Sequence, residues 1–235
     1  MFTLAIDEGI ARLTLSRPEA RNAIPLAGWD RLAARAAQAA AQGAHLLILE
    51  GAGDAFCAGA DVGEFPEREQ GRLRLSMRGA LDALAALDIP TIAAIGGPCY
   101  GAGVALALAC DIRLASAAAR FAITPAKMGI SYPQEDIHAL VAAVGPGQAA
   151  RLLFSGAAID GAEALRIGLA DAPLEGLDHL VAAIRTSDPA SLGTLKRGIA
   201  LARTGVRSDA GQDEAFDSLI GAEALGDRLA ARRRK

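Results

Sequence analysis

Two glycine-rich segments, residues 56–61 (FCAGAD) and 96–103 (GGPCYGAG), place small residues just before a predicted helix. The first N–H groups of a helix have no partner inside the helix and lie at the positive end of its dipole. Each segment can therefore present N–H donors to an anion. Two such segments side by side would form an oxyanion hole, although close chain packing at two sharp turns explains the same glycines equally well.

Other common catalytic patterns are missing from the sequence. The second segment lacks the third glycine of a dinucleotide fingerprint, since Leu106 stands there, and Asp111 follows too soon to meet a ribose. There is no GxSxG motif. The histidines and cysteines show neither a pairing for nucleophilic catalysis nor metal-ligand spacing; they are His45, His138, His179, Cys57, Cys99 and Cys110. The sequence thus predicts no bound metal and no nicotinamide cofactor.

The elements that would carry the two segments alternate between strands and helices. Residues 2–6 and 10–15 alternate apolar and polar side chains around Gly9, which predicts a β-hairpin. Buried strands are predicted at residues 45–50 and 91–95, and short strands in DIRLAS and ARFAI. Helices are predicted at residues 25–42, 64–89, from 102 onward, in IHALVAAVG, GQAARLLFSG and DGAEALRIG, and through the C-terminal third. This order is typical of an α/β domain of stacked βα units.

Composition and charge exclude several classes of protein. The chain has 235 residues, 52% of them hydrophobic and 22% charged, as in ordinary globular domains. A net charge of −3 gives little attraction to nucleic acid. The first residues, MFTLAIDEGIARLTL, lack a basic stretch followed by an apolar core, so we expect a cytoplasmic protein. Residues 89–110 carry no charge but contain GGP, which predicts a strand, a turn and a helix in place of a membrane span.

Five segments together resemble the serial motifs of the enoyl-CoA hydratase/isomerase, or crotonase, superfamily. They are SRPEARNAI (16–24), AFCAGADVGEF (55–65), GPCYGAGVALALACDIRLA (97–115), ARFAITPAKMGI (119–130) and ALRIGLAD (164–171). The resemblance implies an α/β fold that is a crotonase-like spiral of repeated ββα units with a C-terminal helical region. It also implies an acyl-CoA substrate, no cofactor beyond that coenzyme A, and a homotrimer or hexamer. We expect residues 1–175 to form the spiral core and 176–235 a helical trimerisation or lid region.

The resemblance also assigns residues to a site. It implies that the backbone N–H groups of Ala60 and Ala102 form the oxyanion hole, and a donor there contributes about 2.7–4 kcal/mol to stabilising an enolate. It further implies contacts to the substrate or its coenzyme A from seven residues, namely Glu19, Ala20, Arg21, Ala58, Asp61, Val62 and Pro125.

The chain departs from the hydratases of this superfamily at both catalytic glutamates. Those positions fall on Ala105 and Pro125, and neither side chain can move a proton. Adding water to a double bond needs general acid–base groups, so ordinary hydratase activity is not expected. Glu135, Asp136 and His138 follow, and any of them could substitute if this segment folds inward; a solvated helix start is the simpler explanation of the two acids.

The segment FAITPAKMGISYP also resembles the decarboxylase branch of the superfamily, which includes methylmalonyl-CoA decarboxylase. In that branch Thr-Pro replaces the Pro-Glu pair, and a tyrosine follows where Tyr132 stands here. Ala60 departs from the branch, which has histidine there. Decarboxylation supplies its own electron pair to the enolate and needs no base. We therefore expect decarboxylation of a small malonyl-type CoA thioester with Tyr132 as orienting group. The alternatives are an atypical hydratase or isomerase and a non-catalytic CoA-binding protein.

Overall fold

The computed structural model describes residues 1–61, 63 and 70–232. The strands are β1 (Phe2–Asp7), β2 (Ile10–Leu15), β3 (Leu46–Gly51), β4 (Thr91–Ile95), β5 (Pro98–Tyr100), β6 (Ile112–Ala115), β7 (Arg120–Ala122), β8 (Ile159–Asp160) and β9 (Ala172–Pro173). The helices are α1 (Leu26–Ala41), α2 (Gln70–Ala85), α3 (Ala102–Leu108), α4 (Gln134–Ser155), α5 (Gly161–Ile167), α6 (Leu177–Arg185), α7 (Pro189–Arg203), α8 (Ala210–Ile220) and α9 (Glu223–Arg232). The α/β prediction with C-terminal helices is confirmed.

The predicted hairpin opens the chain. Strands β1 and β2 pair antiparallel, and the two residues between them, Glu8 and Gly9, both have positive φ angles of 45° and 78°. Such a turn matches the twist of the flanking strands. From β2 onward every pairing in the large sheet is parallel, in the order β1-β2-β3-β4-β6-β9.

A second, small sheet makes the fold a series of ββα units. Strands β5, β7 and β8 form it. At its edge, the backbone of Cys57 forms an isolated parallel β-bridge with the backbone of Cys99. In successive units the first strand (β4, β6) joins the large sheet and the second (β5, β7) joins the small one, before a helix follows. The uncharged segment 89–110 accordingly forms β4 and α3, as predicted, with the additional short strand β5 where only a turn was predicted.

The central strands β3 and β4 of the large sheet are buried on both faces. Leu47, Leu49 and Ile95 belong to the main core, in which Trp29 and Phe121 are fully buried. The alternate residues Leu46, Ile48, Ile92 and Leu114 form a second core, which α6 covers. Strands covered on both faces lose the polar alternation of the hairpin, which explains the continuous apolar runs of β3 and β4.

Helix α4 is the one helix, within the described residues, long and apolar enough to cross a membrane. It breaks at Gly145, whose φ of 75° and ψ of 161° lie outside helical geometry, and Pro146 begins the second half. The two halves correspond to the two helices predicted in IHALVAAVG and GQAARLLFSG. Neither half reaches the roughly 20 residues that a membrane span requires.

Candidate active site

The two glycine-rich segments lie against each other. Tyr100 N–H donates to the carbonyl of Cys57 at 2.8 Å, and Cys57 N–H donates to the carbonyl of Pro98 at 3.1 Å. These bonds extend the small sheet sideways and place both strand-to-helix turns at one point of the surface.

Glycine is required where the two turns touch. Gly59 has a φ of 100°, and a Cβ there would lie 2.8 Å from the Tyr100 carbonyl oxygen and 3.0 Å from the Ala102 nitrogen. A Cβ on Gly103 would collide with the carbonyl of Cys57. Close chain packing therefore accounts for these two glycines, and it also brings the backbone of Gly59 next to that of Ala102.

The N–H groups of Ala60 and Ala102 are left over by the backbone hydrogen bonds around them. Ile24 and Ala60 form an isolated parallel β-bridge. Its two hydrogen bonds involve the residues on either side of Ala60: Ile24 N–H donates to Gly59 O at 2.8 Å, and Asp61 N–H donates to Ile24 O at 2.9 Å. In such a parallel bridge the N–H of the central residue points to the other side. Ala102 begins α3, so its N–H has no intrahelical acceptor. Within the described residues, neither N–H donates to a protein acceptor.

The loop around residues 19–21 contacts the first turn. The carbonyl of Arg21 accepts a hydrogen bond from Ala58 N–H at 2.9 Å, and the Arg21 side chain is exposed. Glu19 is exposed and lies 3.8 Å from the Arg17 guanidinium, while Ala20 is half-buried. Glu19, Ala20, Arg21 and Ala58 thus lie on one part of the surface beside the Ala60 N–H.

Asn22 is a structural residue that the sequence analysis did not single out. It is buried, its Oδ1 accepts from Arg17 N–H at 2.9 Å, and its Nδ2 donates to the carbonyls of Ala52 and Ala55 at 2.9 and 2.7 Å. Its φ is positive, 58°, a conformation that asparagine tolerates, so the residue type in a predicted loop was the one signal in the sequence. The Arg17 guanidinium also bonds Asp61 at 3.0 Å, so Asp61 ties the loop to the first turn. Val62 lies outside the described residues.

Tyr132 reaches the second turn. Its side chain is 7% exposed, and its hydroxyl donates to the carbonyl of Gly101 at 3.0 Å, one residue before Ala102. Burial, followed by the charge of Asp136, raises the pKa of this tyrosine well above its usual value, so the hydroxyl stays protonated. Ala105 is buried in α3, and Pro125 begins a short 3₁₀ turn, Pro125–Met128.

Of the three candidate proton carriers, only Asp136 is inside the molecule. Glu135 and His138 are exposed, whereas Asp136 is 3% exposed and pairs with the Arg78 guanidinium at 3.0 Å. Burial raises the pKa of Asp136 to about 6, against the opposing effect of Arg78. A solvated helix start therefore accounts for the exposed Glu135 but not for the buried Asp136.

The cysteines offer no nucleophile near neutral pH. Cys57, Cys99 and Cys110 are all buried and free of disulfides. Burial raises the pKa of Cys57 and of Cys110 to about 12, so neither forms the reactive thiolate. In the described part of the chain, no three or more His, Cys, Asp and Glu side chains are grouped so that they could hold a metal ion.

Known proteins resemble this chain in sequence and in fold. Residues 5–185 match the family model described as enoyl-CoA hydratase/isomerase. The chain is 37% identical to Probable enoyl-CoA hydratase EchA14 of Mycobacterium tuberculosis over 176 residues, which cover 71% of this chain and 67% of that protein.

Solved structures agree with this match. An enoyl-CoA hydratase/isomerase family protein from Hyphomonas neptunium has a TM-score of 0.92 at 32% identity, covering 99% of this chain and 94% of that one. A Thermobifida fusca protein described as an enoyl-CoA hydratase, solved in complex with CoA, has a TM-score of 0.79 at 29% identity, covering 100% of this chain and 95% of that one. This chain therefore belongs to the enoyl-CoA hydratase/isomerase family.

Proposed function

We propose that this protein binds an acyl-CoA thioester and stabilises its enolate with the N–H groups of Ala60 and Ala102. The observation that carries the proposal is that these two donors lie on adjoining turns and have no acceptor among the described residues. A fixed donor aimed at a developing oxyanion contributes about 2.7–4 kcal/mol to lowering the barrier, because it needs no reorganisation during the reaction.

Coenzyme A would enter along the loop of residues 19–21. Membership of the family supports a thioester substrate, and the Thermobifida fusca relative was solved with CoA. Arg21 is exposed on the loop whose backbone bonds Ala58, next to the Ala60 N–H. One bound acyl-CoA molecule would therefore place its thioester carbonyl at the two turns and its nucleotide at this loop.

The reaction that fits the missing glutamates is decarboxylation of a small malonyl-type thioester. The bond from the α carbon to the carboxylate breaks, carbon dioxide leaves, and the electron pair passes into the enolate held by Ala60 and Ala102. Neither Ala105 nor Pro125 can act as a base, and this step needs none. Tyr132 would orient the carboxylate of the substrate. To do so, its hydroxyl must give up its hydrogen bond to the Gly101 carbonyl and donate to the substrate carboxylate.

One observation favours a second candidate, an atypical hydratase or isomerase. Asp136 is a buried carboxyl group with a raised pKa, as general acids and bases often are, and it lies near Tyr132. Hydration or double-bond migration also passes through an enolate and would use the same two N–H donors.

A mass-spectrometric time course separates these candidates. Purified protein is incubated with malonyl-CoA, methylmalonyl-CoA or crotonyl-CoA, alongside Tyr132→Phe. We expect loss of carbon dioxide from a malonyl thioester, slowed in the variant. Hydration of crotonyl-CoA that the variant leaves unchanged would contradict decarboxylation. Tight CoA binding without turnover of any thioester would identify a non-catalytic CoA-binding protein and contradict the enzyme proposal altogether.

We also propose that the chain works as a homotrimer or hexamer. Large apolar side chains are exposed on neighbouring C-terminal helices, among them Leu195 and Ile199 on α7 and Phe216 and Ile220 on α8. Each pair is spaced four residues apart and so lies on one helix face. Several large apolar side chains exposed on neighbouring helices are typical of a subunit interface.

A further inference from the structure

The ion pair between Arg78 of α2 and Asp136 of α4 is incompletely satisfied. One oxygen of Asp136, Oδ1, accepts from the Arg78 guanidinium at 3.0 Å. The other oxygen, Oδ2, and the Nε of Arg78 are both buried and have no hydrogen-bond partner in the described residues. Leaving a buried polar atom without a partner costs about 1–3 kcal/mol, and more for a charged group. A proton on Oδ2 removes the buried charge, and a bound ligand can supply the missing hydrogen-bond partner.

The position of Asp136 connects it to the proposed oxyanion hole. It lies in the first turn of α4, four residues after Tyr132. The Tyr132 hydroxyl is 3.0 Å from the carbonyl of Gly101, the residue that precedes the Ala102 donor. The Asp136 charge also acts on Tyr132, whose pKa it helps to raise. Four residues of chain and this charge interaction connect Asp136 to the side chain that bonds the second turn.

We propose that Asp136 carries the proton to and from the α carbon of the bound thioester, with Arg78 holding the carboxylate in place. The inference rests on the proposed function, because it requires the enolate. When carbon dioxide has left, the O–H bond of Asp136 breaks and a C–H bond forms at the α carbon, which turns the enolate into the acyl-CoA product. Asp136 is left ionised beside Arg78 and regains its proton from water.

The surroundings of Asp136 suit both directions of this transfer. Arg78 and Asp82 face it from α2, Glu135 adjoins it on α4, and Tyr132 lies on the preceding segment. Burial, Glu135 and Asp82 raise its pKa, Arg78 lowers it, and the result is about 6. A carboxyl group with a pKa near the working pH is present in both forms, which is the condition for efficient general acid–base catalysis.

Exchange of α hydrogens with solvent tests this role without reference to decarboxylation. The protein is incubated in D₂O with butyryl-CoA, which has no carboxylate to lose, and deuterium at the α carbon is followed by mass spectrometry. We expect exchange with the wild type, a loss of at least about 100-fold in Asp136→Asn, and a change below about twofold in Glu135→Gln. Glu135 is the matched control because it is the adjacent carboxylate and is exposed.

The pH profile adds a measurement that needs no variant. The rate of α-hydrogen removal by the wild type should rise as Asp136 ionises, with an inflection near pH 6. A flat profile between pH 5 and 7.5, or exchange that Asp136→Asn retains, would overturn the role of Asp136. Decarboxylation without any exchange would overturn it as well, whereas the absence of both reactions in the wild type would overturn the proposed enolate chemistry itself.

Discussion

At the scale of single residues, Gly59 controls the distance between the two proposed donors. Its positive φ and its contact with the Ala102 nitrogen both exclude a Cβ. We expect Gly59→Ala to lose roughly 1–2 kcal/mol of stability from the backbone strain, and more from the clash. Because the turns must separate, we also expect thioester turnover to fall on the order of 100-fold. Steady-state kinetics and urea unfolding measure the two effects.

Gly43→Ala is the matched control for this prediction. Gly43 also has a positive φ, 82°, but a Cβ there would meet no atom within 4 Å. This variant should therefore lose stability through backbone strain alone and keep its turnover. Equal turnover in the two variants would show that the contact between the turns does not matter for activity.

Asp136 should make stability depend on pH in a direction opposite to most carboxylates. Its pKa is raised from 3.8 in the unfolded chain to about 6, so the folded state binds the proton more tightly. Its contribution is fully present below pH 4 and is lost as pH rises through 6, by about 1–3 kcal/mol in total. Carboxylates whose pKa is lowered, such as Asp188, act in the opposite sense but are common to wild type and variant.

Urea unfolding of wild type and Asp136→Asn at pH 5 and pH 7.5 isolates this contribution. The stability of the wild type relative to the variant should be higher at pH 5 than at pH 7.5. The same difference at both pH values would mean that Asp136 titrates as an ordinary surface carboxylate. That result would also remove the basis for the proton transfer proposed for Asp136.

At the scale of elements, helix α7 is attached to the sheet by one buried lysine. Lys196 Nζ donates to the carbonyl of Ile89 at 3.0 Å and pairs with Asp111 at 2.9 Å. We expect Lys196→Ala to cost about 3 kcal/mol, since it leaves the half-buried Ile89 carbonyl without its donor and removes the positive charge paired with Asp111. The neighbouring Arg197→Ala removes an exposed ion pair and should cost less than about 1 kcal/mol. Similar losses in urea unfolding would show that the burial of Lys196 is unimportant.

Local sequence signals predicted the helices and strands. They could not predict the side-chain contacts between residues that are far apart in sequence. The hairpin and the break at Gly145 follow from glycine and proline, whose backbone preferences act within a few residues. The two turns were likewise readable from their glycines. The burial of Asp136 was not, because its partner Arg78 lies 58 positions away in sequence and only the tertiary fold brings the two side chains together. Asn22 was missed for the same reason, since its acceptors Ala52 and Ala55 belong to another loop.

At the scale of the whole molecule, the exposed apolar side chains of α7 and α8 predict assembly. Light scattering after gel filtration should give three or six times the 24.0 kDa chain mass. Phe216→Asp places a charge on the exposed apolar face of α8 and should lower this mass. Ser218→Asp adds the same charge at an exposed polar position of the same helix and should leave it unchanged. A wild-type mass of 24.0 kDa would contradict the proposed assembly.

The central claim is that the N–H groups of Ala60 and Ala102 both bind the thioester oxygen. Isotope-edited infrared spectroscopy of butyryl-CoA labelled with ¹³C at the carbonyl tests it directly. Two hydrogen bonds in a site with little water draw electrons toward the oxygen, so the carbonyl stretch of the bound ligand should lie at lower frequency than in water. A bound ligand whose carbonyl frequency equals or exceeds its value in water would contradict the oxyanion hole.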